Sequence, residues 1–234
     1  MLTACGDLEL SRAGSTATPA STPVSEQEFR NAAEIAADDA VLVLKDLSGT
    51  WRSEPNSSAN YSILLEKMPA ECRQLFMPGP SVIARKDSNK FTGELLIELT
   101  SNATVYRTAQ IARTEEKSAV DGLSGCGEAL ADVFRENVQT GLARHDLPVD
   151  QVAVRFEKVD APHAGESSNE FRITFDYGHG APPGHFAIIE VHQGRIIGTV
   201  MYTAASAKDT ARTHDAIVAI LARRLARADA RLPQ

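Results

Sequence analysis

Two stretches, "QVAVRFEKVD" (Gln151–Asp160) and "EFRITFDY" (Glu170–Tyr177), decide the fold. In the first, Val152, Val154 and Phe156 alternate with Ala153, Arg155 and Glu157. In the second, Phe171, Ile173, Phe175 and Tyr177 alternate with Arg172, Thr174 and Asp176. A period of two marks strands with one face in a core and one in water. "HFAIIEVHQ" (His185–Gln193) and "RIIGTVMYT" (Arg195–Thr203) follow, joined by the turn Gln193-Gly194. Both are apolar on both faces, so helices are expected to cover the second side of the sheet. The strand carboxylates are expected to point outward.

Working outward, helices flank this meander. Ser25 and Glu28 form a capping-box signature. Phe29, Ala33, Ala36, Ala40 and Leu44 then recur at helical spacing, predicting a helix over about 26–44. "TAQIARTEEKSAVDGLSG" reads as a polar helix with Glu115 and Glu116 solvated. "GEALADVFRENVQTGLARHDL" continues helical despite Gly127 and Gly141. Ser206 and Asp209 cap a terminal helix with the apolar stripe Ile217, Ile220, Leu221, Leu225 and Ala228. Arg223, Arg224, Arg227 and Arg231 near its end suit the negative end of a helix dipole, or simply a solvated face. "FTGELLIELTS" adds a strand that continues towards "TVYRT". The class expected is α+β: an antiparallel meander of about four to five strands covered by helices, with a long C-terminal helix.

The 234 residues are 43% hydrophobic and 24% charged, enough for a sizeable core, with a net charge of −7. An acidic chain gains nothing from counterion release, so no nucleic-acid partner is expected. No uninterrupted apolar run approaches the length needed to cross a bilayer; Ala40 to Leu44, for example, is far too short.

The N-terminus carries the clearest functional signal. Leu2-Thr3-Ala4-Cys5 fits the bacterial lipobox, in which the Cys sulfur takes a diacylglyceryl group and the chain is cut before it. The basic and apolar lead-in of a signal peptide is expected upstream of Met1. Ser11 to Ser25 is a polar, Pro-containing tether suited to link an anchor to a folded unit. This divides the chain into a leader remnant and tether, 1–24, and one folded domain, 25–234. The alternative is that Cys5 is a free thiol by chance.

Cysteine arithmetic agrees. With Cys5 set aside for lipid, Cys72 and Cys126 are expected to form a disulfide in an oxidising compartment. The competing reading makes Cys126, in "LSGCGEA", a nucleophile, but no histidine lies near it in sequence. Among six histidines, His179 and His185 bracket "HGAPPGH" and offer a metal site with Asp176 or Glu190. Those glycines and prolines equally suit a plain strand connection. "GLSGC" is not a nucleophile elbow, and Gly122, Gly125 and Gly127 form no dinucleotide fingerprint.

The order of these features resembles a known group. A lipobox and tether, an Ala-rich helix running into Asp46-Leu47 and Trp51, a Cys before the first long strand, a second Cys ending a helix, "TVMYTA" and a closing amphipathic helix resemble actinobacterial envelope lipoproteins. These are related to the extracellular sensor domain of mycobacterial Ser/Thr kinases and to Mog1/PsbP-like lipoproteins. The resemblance implies a non-enzymatic, extracytoplasmic role in sensing or binding.

The expected function is therefore a lipid-anchored envelope protein that binds a small ligand or a partner protein, with no cofactor. Trp51 and Tyr61, aromatic residues in loops, are the candidate ligand contacts. The alternatives are an envelope hydrolase or metalloprotein using His179 and His185, and a structural or assembly lipoprotein.

Overall fold

The computed structural model describes residues 24–56, 66–94, 96–145, 152–178, 183–204 and 207–233. The elements are α1 (Glu26–Ala40), β1 (Trp51–Glu54), α2 (Ala70–Arg73), β2 (Val82–Asp87), β3 (Lys90–Gly93), β4 (Leu96–Tyr106), α3 (Ala109–Gly125), α4 (Gly127–Ala143), β5 (Ala153–Val159), β6 (Ser167–Asp176), β7 (Gly184–Gln193), β8 (Ile196–Ala204) and α5 (Ala207–Asp229). Cys5, Tyr61, His179 and the expected Ser206 cap lie outside the described residues.

All eight strands join one antiparallel sheet in the order β1-β3-β4-β8-β7-β6-β5, with β2 also pairing β4. The class is α+β as expected, but the sheet exceeds the anticipated four to five strands. β2 and β3 run in line along β4, interrupted at Ser88, whose N–H bonds Ser101 O and whose hydroxyl accepts from Ser101 N.

Two helical layers cover the sheet. On the front face, α1 packs over β2 and β4, and α5 over β7 and β8. Phe29, Ala33, Ala37, Leu99, Ala187, Ile189, Val191, Tyr202, Leu221 and Leu225 share that core. On the back face, α4 packs over β5, and α3 crosses β4, β7 and β8. There Leu123, Leu130, Val154, Phe171, Ile173, Phe175, Phe186 and Ile188 form a second core. β7 therefore alternates between two interiors, which is why it lacks a polar face.

The capping box of α1 is present: Ser25 N donates to Glu28 Oε2 at 2.9 Å, and Glu28 N to Ser25 Oγ at 3.2 Å. The helix ends at Ala40, short of the expected Leu44, because Val41 turns extended. Leu42 N then donates to the buried Ser101 Oγ at 2.9 Å, which pins the chain to β4.

Cys72 and Cys126 are bonded, with Cα atoms 5.7 Å apart. Cys126 is the joint between α3 and α4, so the bridge ties the corner of the back layer to α2. Gly127 follows because α4 starts against β5: a Cβ there would lie 2.4 Å from the Phe156 ring. At the β7–β8 turn, Gly194 takes φ +58° and leaves room for Asp229, whose Oδ2 would lie 2.2 Å from an added Cβ.

Three ionic expectations change. Glu116 is buried rather than solvated, and so are the strand carboxylates Glu170 and Glu190. α3 crosses close over the back face, and α5 reaches over β6. Arg224 is also no solvated side chain: its Nη1 reaches Asp46 Oδ2 at 3.0 Å and ties α5 to the turn after α1.

Candidate functional site

Buried ionisable groups gather on both faces of the sheet. On the back face, α3 presents Glu116 to β6 and β7. Its Oε1 accepts from Ser167 Oγ at 2.6 Å and from Asn169 Nδ2 at 3.0 Å. His192 Nδ1 stands 3.4 Å from Glu116 Oε2 and 3.4 Å from Ser167 Oγ. This is a Ser, His and carboxylate set, yet it is not arranged as a catalytic triad. A triad puts nucleophile and carboxylate on opposite ring nitrogens. Here both face Nδ1, while Nε2 is 2.8 Å from the Gly194 carbonyl and donates to it.

Glu190 faces the same layer, and its Oε2 is buried with no hydrogen-bond partner among the described residues. Burial, then the Glu116 charge, pushes its pKa up to about 7. The register places Asn169, Glu190, Thr199 and Asn102 directly opposite one another on β6, β7, β8 and β4. A polar row thus runs beneath α3. Asn102 is buried within it.

The front-face set is more accessible. α5 covers β7 and β8, while Arg155 and Glu157 of β5 stay exposed and Arg172 and Thr174 of β6 half-buried. At this step Glu170 is fully buried. Its Oε1 accepts from Arg172 Nη2 at 2.7 Å, and its Oε2 lies 3.3 Å from His214 Nε2 on α5. The second contact is an ion-pair approach, off the line of a hydrogen bond, and among the described residues Arg172 Nε also lacks a hydrogen-bond partner. Burial pushes the Glu170 pKa up, but the contacts of His214 and Arg172 outweigh it and hold it below the usual carboxylate range. Tyr202 lies between two imidazoles, with ring centroids 5.7 Å from His185 and 5.9 Å from His214. Burial, then the Arg172 charge, lowers the His185 pKa to about 4, so its ring is neutral at pH 7.

This step is a charged ledge: Arg172 reaches solvent, and the carboxylate and rings beneath it are fixed. Fixed charges and a half-open guanidinium are suited to hold a polar ligand.

The residues singled out in the sequence fall as follows. Trp51 is not in a loop but opens β1, far from the ledge, with its ring against Gly93 of β3: a Cβ on Gly93 would meet that ring at 3.0 Å, and Trp51 Nε1 donates to Ser48 O at 3.0 Å. His185 belongs to the ledge. Glu190, five residues on, points to the opposite face, so the two cannot share one metal ion. No group of three or more metal-ligating side chains occurs among the described residues. Glu170, Arg172 and His214 were not anticipated. His185 was the available signal, since a polar group in a strand buried on both faces needs partners.

No protein-family model matches the chain, and no curated protein matches it. In fold the chain is similar to the extracellular domain of PknH from Mycobacterium tuberculosis, at 11% identity and a TM-score of 0.48, over 83% of this chain and 97% of that one.

Proposed function

We propose that this is a cell-envelope lipoprotein, anchored through Cys5, whose α+β domain, residues 25–234, works outside the cytoplasm as a non-enzymatic binding or sensing module. The Cys72–Cys126 bridge is the observation that carries the compartment. Structural disulfides persist where the surroundings are oxidising and are rare where thiols are kept reduced. The lipobox Leu2–Cys5 and the tether Ser11–Ser25 supply the anchor in this reading. The ledge of Arg172, Glu170, His214 and His185 is the ligand surface, since it combines fixed charge with solvent access at Arg172.

The anchor is tested by intact mass and fatty-acid labelling of the protein purified from its membrane. Diacylglyceryl mass on Cys5, lost in Cys5→Ala, is expected. An unmodified Cys5 thiol in membrane-free material overturns it. The ledge is tested by thermal shift with phospholipid vesicles and with cell-wall saccharides. Stabilisation lost in Arg172→Ala supports the ledge, and stabilisation retained there places binding elsewhere.

A further inference from the structure

The two ends of the sheet are finished differently. At one end β1 is four residues long, β2 carries a register shift between Val82 and Ala84, and Lys86 is held 2.7 Å from Asp38. Short strands, irregularities and engaged charges are how proteins block edge pairing. At the other end β5 pairs β6 through seven consecutive positions with no irregularity, and among the described residues no strand pairs its outer side.

The outward side chains of β5 are self-complementary. Pair β5 antiparallel with a copy of itself about Phe156. Arg155 then lies opposite Glu157 of the second copy and Glu157 opposite its Arg155, both on the front face where both are exposed. On the back face Phe156 meets its own copy, and Val154 lies opposite the aliphatic stem of Lys158. Opposite charges directly across an antiparallel pair stabilise it, and like charges there destabilise it. A two-fold axis generates both pairs at once, as an isologous contact requires.

The surroundings agree. α4 packs over β5 and keeps Val138 and Leu142 half-buried, so an apolar rim accompanies the edge. Arg155, Glu157 and Lys158 carry two positive charges and one negative, so this edge is not one of the acidic surfaces of a chain of net −7.

We infer that β5 is a homodimerisation edge, pairing antiparallel with β5 of a second copy to join two sheets into one. The inference stands independently of the ligand ledge.

Sedimentation equilibrium of the 234-residue chain tests it. The wild type is expected to dimerise. Glu157→Arg replaces two attractive pairs with two repulsive ones and is expected to weaken the dimer by at least about tenfold. The double variant Arg155→Glu/Glu157→Arg restores opposite charges and is expected to recover it. Both positions are exposed, and melting curves of each variant serve as the check on folding. A monomeric wild type, a dimer unaffected by Glu157→Arg, or a double variant that stays monomeric each overturns the inference.

Discussion

Arg195 and Asp229 lock the β7–β8 turn to the end of the C-terminal helix. Arg195 donates twice to Asp229 Oδ1, from its backbone N at 3.0 Å and from Nε at 3.1 Å. Its Nη1 reaches Pro233 O at 2.7 Å, and its Nη2 reaches the carbonyls of Asp229 and Leu232, each at 3.1 Å. One guanidinium thus satisfies carbonyls that the end of a helix leaves without partners. Arg195→Met removes those donors and keeps the alkyl stem. It is expected to cost about 2–3 kcal/mol, roughly 5–10 °C in melting temperature. A loss within 1 °C by calorimetry would mean that water replaces the lock.

The bridge between Cys72 and Cys126 spans 54 residues of sequence. Loop-closure entropy assigns such a cross-link about 4 kcal/mol. Cys72→Ala/Cys126→Ala is expected to lower the denaturation free energy by that order. Hydrogen exchange should rise in α2 and at the α3–α4 corner more than in α1 and α5. A uniform rise across both layers would contradict a bridge that tethers only the back one.

Glu190 gives the stability a pH dependence of definite sign. Its pKa is raised in the fold, from 4.5 to about 7, so the associated stability is fully present below about pH 4.5 and is lost as pH rises through about 7. Glu190→Gln keeps the size and never ionises. It is expected to stabilise the protein by about 3 kcal/mol at pH 8 and to change little at pH 4.5. Equal melting shifts for wild type and variant across that range would rule this out.

Glu170 sits between Arg172 and His214 with no exposure of its own. Glu170→Gln leaves the partners without their counter-charge and is expected to cost about 2–3 kcal/mol. A double-mutant cycle with His214→Ala should return a coupling above about 1 kcal/mol. Additive effects would show that α5 is held to β6 by its apolar stripe alone.

The parts of the fold legible in the sequence were those with one wet face. β5 and β6 alternate, α1 carries its capping box, and α5 shows the stripe Ile217, Leu221, Leu225 and Ala228, all buried. β1 and β2 escaped because "WRSE" is too short to show a period, and the pleat of β2 is broken by its register shift. The ledge escaped for a tertiary reason. Alternation assigns the non-core side of β6 to water, yet α5 reaches over Glu170 while leaving Asp176 exposed. How far a helix overhangs a sheet is set by packing, and strand periodicity carries no record of it. Glu116 was hidden likewise, as one of three buried residues on a polar helix.

β7 divides the interior, with His185 on one side and Glu190 on the other. One ring stays neutral above about pH 4 and the other group stays neutral below about pH 7. Between those limits the strand is electrically silent at both positions. Acid below that window places a cation in the front core, and base above it places an anion in the back core. Charge thus enters the interior in different layers at the two extremes of pH.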